Sequence, residues 1–225
     1  RVMNAPTPDM PRALRESAYI LCVGAGFGLL CAFLLIMLRA SMRQGIVSAP
    51  QLEHLSGYPV YALVPEVART QNVSATMMKD PSAMLAESMR TLRVSLRLRA
   101  RSGSGPRVLA FTSTVPDEGK TSLAVMLGMI AAKSGERVVI VDCDLRRPSL
   151  HRAFGVGDAR GLADVLSDRL SLDDVIYKRD TSGVHIITGK AVPSYSLTLL
   201  TSGRMERVID SLREQYDLVL LDAPS

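Results

Sequence analysis

The chain has 225 residues, 47% of them hydrophobic, 4% aromatic and none of them tryptophan. That is enough apolar material for one full core with something smaller beside it, while the scarcity of aromatics and of any recognition module speaks against nucleic acid as a partner. The net charge of +5 suits an acidic partner, anionic lipid or nucleotide phosphates as well as a plain solvated surface, and Cys22, Cys31 and Cys143 are too few and too scattered for a disulfide framework, which points to a reducing compartment.

The first residue is Arg1 and the last, Ser225, follows directly on an apolar run, so both ends read as cuts through a longer protein. Residues 1–17 hold Pro6, Pro8 and Pro11, which favour an extended approach. Ala18 to Leu38 then runs for 21 positions without a charge. At 1.5 Å per residue it covers about 31 Å, the thickness of a bilayer's hydrocarbon core, and it reads as a transmembrane helix. Gly24 and Gly28 form a G-x-x-x-G inside it, a weak dimerisation signal because glycine is common in such helices. Arg12 and Arg15 flank one end, Arg39 and Arg43 the other, so charge alone leaves the orientation open.

Residues 39–79 mix turn formers with short apolar runs and read as a linker; residues 80–225 read as the globular domain. Asp80-Pro81 is placed to cap a helix, and Leu85, Met89, Leu92 and Leu96 give it one apolar stripe before Ser102-Gly103-Ser104-Gly105-Pro106 stops it. From Arg107 strand and helix alternate: strands over 108–112, 138–142, 184–188 and 218–222, helices over 121–134, 162–166 and 204–215. That alternation predicts an α/β fold, a P-loop NTPase-like parallel sheet with helices on both faces.

Between the first strand and its helix lies "FTSTVPDEGKTS", Phe111 to Ser122. It ends as a phosphate-binding loop ends, although Thr114 stands where the first glycine is usual. A helix start offers free N–H groups and the positive end of a dipole to phosphate oxygens. Pro116, Asp117, Glu118, Gly119, Lys120, Thr121 and Ser122 form the expected cradle, with Gly119 allowing close backbone approach, Lys120 reaching the β- and γ-phosphates and Thr121 offering its hydroxyl to Mg²⁺.

"RVVIVDCDLRRP" carries Asp142 and Asp144 on one side of a strand end, at the carboxyl edge where ligands bind in such sheets. One could join a metal's coordination shell and the other accept a proton; alternatively Asp144 caps the turn beside Arg146 and Arg147. "YDLVLLDAPS" delivers Asp222 from a buried apolar strand, as a Walker B segment does for Mg²⁺.

These segments together resemble the bacterial tyrosine kinases of the exopolysaccharide and capsule co-polymerase family: a loop like "TSTVPDEGKTS", the D-x-D-x-R motif as "DCDLR" and the D-x-P motif as "LVLLDAP". Asp117 stands where that family commonly has glycine. The resemblance covers nearly the whole chain and implies an ATP- and Mg²⁺-dependent tyrosine autokinase in the bacterial inner membrane. Arg1 to Arg15 would lie outside the cytoplasm and Arg39 onward inside, with a tyrosine-rich tail beyond Ser225. It implies that Lys120 and Mg²⁺ neutralise the γ-phosphate, that Thr121, Asp142 and Asp222 serve the metal, and that Asp142, with Asp144 beside it, orients or deprotonates the phenol. It further implies a homo-oligomer, a polysaccharide polymerase and export machinery, and a cognate tyrosine phosphatase as partners. Glu87, Arg90 and Arg93 match the family's E-x-x-R-x-x-R subunit contact; on helix geometry alone they are equally a solvated face. Two other functions stay open: a non-catalytic co-polymerase scaffold, and a deviant-Walker positioning ATPase, whose usual extra lysine is missing from Ser113 to Glu118.

Overall fold

In the computed structural model the described residues are 12–42, 48–65, 83–99, 107–116, 118–178, 183–192 and 194–224. They fall into two units, Arg1–Tyr58 and Pro59–Ser225. The proline-rich start, the Asp80-Pro81 cap, the stop at 102–106 and Asp117 lie outside the described residues.

The first unit holds α1 (Arg12–Met42) and α2 (Ala49–Ser56). Within α1, Tyr19–Arg39 is long and apolar enough to cross a membrane. Its described large apolar side chains are 54–73% exposed, Leu21 and Leu29 the most and Val23 the least. The stretch read as a linker thus contains a helix, with Pro50 in its first turn and Gly57 closing it.

The second unit runs α3 (Ala83–Arg99), β1 (Val108–Phe111), α4 (Lys120–Lys133), β2 (Val138–Asp142), α5 (Leu150–Phe154), α6 (Leu162–Leu166), α7 (Leu172–Val175), β3 (Ile176–Lys178), β4 (Val184–Ile187), α8 (Ser196–Leu200), α9 (Gly203–Gln215) and β5 (Leu218–Asp222). The strands form one sheet in the order β1-β5-β2-β4-β3. Four of them are parallel, and β3 joins β4 antiparallel at the edge. Sequence alternation does not announce β3, because three residues are too few to show a period.

The continuous apolar runs of β2 and β5 follow from burial on both faces. Val139, Val141 and Val219 point to one side, where they pack with Leu162, Leu166, Met205, Val208 and Leu212. Val138, Ile140, Leu218 and Leu220 point to the other, against Ala124, Leu127 and Ala131 of α4 and Leu150 and Phe154 of α5. Outside α4 lies α3, whose Leu85 and Met89 close on Met126, with Val64 and Leu92 beside them. The two-sided core leaves the carboxyl ends of β1, β5 and β2 side by side, with Phe111 opposite Asp222 and Asp222 opposite Asp142.

Candidate active site

The loop after β1 turns into α4 at Gly119, whose φ of 91° is a left-handed conformation that a side chain would strain. Lys120, Thr121 and Ser122 therefore begin the helix, with its free N–H groups facing the carboxyl edge of the sheet. Pro116 is exposed in the preceding turn. Glu118 bends back on its own loop: its Oε2 accepts from the N–H of Thr114 at 3.1 Å and of Val115 at 3.5 Å. The carboxylate thus braces the loop where the missing first glycine would have been.

Thr121 meets the end of β5. Its hydroxyl donates to Asp222 Oδ2 at 2.5 Å and lies 2.9 Å from Ser149 Oγ. Asp222 is 1% exposed, and its Oδ1 has no hydrogen-bond partner among the described residues. Burial raises the pKa of Asp222, against the opposing pull of the Thr121 hydroxyl and the nearby Lys120 ammonium; Asp144 adds a smaller push upward.

Asp142 is fully buried. Its Oδ2 accepts from the N–H groups of Ser149 and Leu150 at 2.8 and 2.9 Å, and its Oδ1 accepts from the N–H of Asp144 at 3.1 Å. The carboxylate shapes the whole loop from β2 to α5. Counting two lone pairs per oxygen, Oδ2 is spent and Oδ1 keeps one acceptor position. Burial pushes its pKa up to about 6, backbone N–H donors oppose this, and the charge of Asp222 reinforces it. An Asn at this position would set its NH₂ against at least one of three N–H donors. Asp142→Asn is therefore not the neutral change that side-chain shape suggests.

Asp144 is half-buried, and its Oδ1 accepts from the N–H groups of Arg146 and Arg147 at 3.2 and 3.0 Å. This is the turn-capping arrangement, and only Asp142 of the two acids is built into the floor of the site. Cys143 between them is buried and points into the core, where desolvation and the charges of Asp142 and Asp222 raise its pKa and keep it a thiol.

Glu87 and Arg90 pair at 3.4 Å on the open face of α3, 70% and 64% exposed. Arg93 lies elsewhere. It is 8% exposed, and its guanidinium grips Glu136, just beyond α4, through Nε at 3.2 Å and through Nη2. Arg97 reaches the same carboxylate at 2.5 Å. The three-residue pattern thus splits into two outward side chains and one inward, because spacings of three drift across the helix surface until Arg93 reaches the α4 side.

Ser149 belongs to the site and was not among the residues read from sequence. The available signal was its position, a serine after Pro148 and directly before Leu150-His151-Arg152-Ala153-Phe154, where an N-cap would stand. Among the described residues no group of three or more His, Cys, Asp or Glu could hold a metal. One hydroxyl and one or two carboxylates with an unspent acceptor nonetheless suit Mg²⁺, which keeps waters and takes phosphate oxygens.

The AAA domain family matches residues 107–225. The chain is 29% identical to tyrosine-protein kinase ptk of Acinetobacter johnsonii, over all of this chain and 32% of that protein. It is 29% identical to tyrosine-protein kinase etk of Escherichia coli K12, over 99% of this chain and 32% of that protein. It thus spans about a third of the length of these curated relatives. Among solved structures, the kinase domain of the Escherichia coli tyrosine kinase ETK superposes with a TM-score of 0.72 at 31% identity, covering 80% of this chain and 73% of that one. With a matching AAA domain, the same three acid- and lysine-bearing segments at one sheet edge and this likeness over most of a kinase domain, the chain belongs to the bacterial tyrosine kinase family.

Proposed function

We propose that this chain is the membrane-anchored, ATP-binding part of a protein tyrosine autokinase that governs the synthesis, chain length or export of an extracellular polysaccharide. The observation that carries the reading is the meeting of Thr121, Asp222 and Asp142 at one sheet edge, with the buried Asp222 Oδ1 left without a partner among the described residues.

The start of α4 binds the nucleotide phosphates through backbone N–H groups, and Lys120 places its ammonium against the most charged part of the ligand. Thr121 and Asp222, with the last acceptor position of Asp142, would hold Mg²⁺, which when bound screens phosphate charge. That one position on Asp142 Oδ1 serves a single partner at a time, so when it does not touch the cation it orients the incoming phenol or takes its proton. A free phenol has a pKa of about 10 and attacks poorly near neutral pH without such help. A carboxylate whose pKa sits at about 6 is ionised at pH 7 yet basic enough to share a proton. Asp144 holds the turn that aims Arg146 and Arg147 outward.

Glu87 and Arg90 offer the exposed charges for contact with a second copy, with Arg93 holding the helix that presents them. Polysaccharide polymerase and export components and a tyrosine phosphatase complete the set of partners, and α1 fixes the domain at the cytoplasmic side of the inner membrane.

Lys120→Ala tests the reading. Calorimetric titration should show Mg·ATP affinity falling by about 10- to 100-fold, the scale of a lost charge-assisted contact, and the phosphotyrosine signal should disappear. Unchanged ATP affinity would remove the phosphate-cradle assignment. Retained ATP binding with no tyrosine phosphorylation by the parent would leave the scaffold alternative.

A further inference from the structure

The contact between Ser149 and Thr121 fixes the direction of a proton. Thr121 has one hydroxyl hydrogen, and the carboxylate of Asp222 at 2.5 Å is the stronger acceptor for it. The hydrogen shared across the 2.9 Å contact between Ser149 Oγ and Thr121 Oγ1 must then come from Ser149. The order is Ser149 O–H to Thr121 Oγ1, and Thr121 O–H to Asp222 Oδ2. Thr121 Oγ1 gives one of its two lone pairs to Ser149 and keeps one, whose direction is set because the other positions on the oxygen are taken.

The backbone of Ser149 has a separate task. Its N–H donates to Asp142 Oδ2 at 2.8 Å and helps hold the loop, as does the N–H of Leu150. Those bonds survive any non-proline substitution, so the hydroxyl can be removed without removing the loop's anchor.

We propose that Ser149 is a positioning residue for the divalent cation of the nucleotide site: its hydroxyl locks the Thr121 hydroxyl so that the lone pair left on Thr121 Oγ1 is already aimed when the cation arrives. The inference rests on the nucleotide-site reading above. Without Ser149, Thr121 keeps its bond to Asp222 but recovers a second free lone pair and a looser rotor, and cation binding must order it.

The test uses the full chain in detergent micelles, a fluorescent ADP analogue as probe, and Mg²⁺ titrated from an EDTA baseline. Ser149→Ala should raise the Mg²⁺ concentration needed for half-maximal tightening of nucleotide binding by about fivefold, the order of one neutral hydrogen bond. Nucleotide affinity in EDTA should stay within about twofold of the parent, which separates this role from general damage to the loop. Ser149→Thr, which keeps the hydroxyl, should recover the parental Mg²⁺ requirement. If Ser149→Ala loses its circular dichroism signal, Ser149→Cys, of similar size with a weak S–H donor, reads the same interaction and should be shifted in the same direction. An unshifted Mg²⁺ requirement in a folded variant, or a threonine variant that stays shifted, overturns the proposal alone. A parent that binds the probe without any response to Mg²⁺ overturns the metal-site reading beneath it.

Discussion

Gly161 shows how much one missing methyl group can decide. A Cβ at this position would stand 2.3 Å from the carbonyl oxygen of Thr188 and 2.8 Å from its hydroxyl, while the next residue's N–H donates to that same carbonyl at 2.7 Å. Its backbone is extended, so proximity and not conformation demands glycine. Gly161→Ala must therefore move backbone, which costs about 1–3 kcal/mol, and thermal unfolding should show a midpoint lower by several degrees. The pairing of Arg137 with Asp217 makes a second, pH-dependent expectation. The Arg137 side chain and N–H hold the Asp217 carboxyl down to about 2, so the bond contributes stability above the ordinary carboxylate range and loses it as pH falls through about 2. Both side chains are largely exposed, so solvent screens the pair and its contribution is small. Asp217→Asn should lower the unfolding midpoint slightly at pH 7, and the gap should close between pH 4 and pH 2; a gap that widens on acidification would contradict the assignment.

At the scale of the element, α3 carries two different tasks on one helix. Leu85 and Met89 face α4, and Arg93 continues that face as an ion pair on Glu136, whose side chain is only 11% exposed. Removing one partner of a buried pair leaves the other charge stranded, at a cost of about 3–5 kcal/mol. Arg97 also reaches Glu136, so Arg93→Ala leaves that carboxylate one partner; the change should still loosen α3 from α4, at a cost below that range, about 1–3 kcal/mol in denaturant unfolding. Arg90→Ala, on the open face, should change folding stability by less than about 0.5 kcal/mol. If Glu87 and Arg90 meet a second copy, light scattering on Arg90→Ala should show a smaller assembly with an unchanged circular dichroism spectrum. A joint substitution of Arg90 and Arg93 would confuse the two effects. The motif was legible in the sequence as three charges; which of them faces inward was not, because the answer depends on where Glu136 comes to rest after α4.

For the molecule as a whole, the contrast between its two units is physical. The second unit buries its apolar residues on both sides of a sheet and against α3. The first leaves a 21-residue apolar stretch of α1 with none of it buried, an arrangement that water penalises and a bilayer relieves. Deleting residues 12–42 should move the protein from the membrane pellet to the soluble fraction, and carbonate washing should not strip the undeleted chain. Extraction of the undeleted chain by carbonate alone would overturn the anchor.

Much of this organisation was present in the order of residues. Continuous apolar runs ending in Asp142 and Asp222, and a helix beginning at Lys120, suffice to specify a parallel sheet with its ligand edge, because strand and helix periods and the free N–H groups of a helix start are local properties. What the acids do at that edge was decided only by folding. Asp142 and Asp144 are two residues apart in sequence and chemically alike, yet one is drawn under the backbone of Ser149 and Leu150 and the other stays in its own turn. The same holds for Ser149, Gly161 and Arg93. Each takes its role from a partner 27 or more residues away, Thr121, Thr188 and Glu136, and such pairings exist only once the sheet and its helices have closed around them.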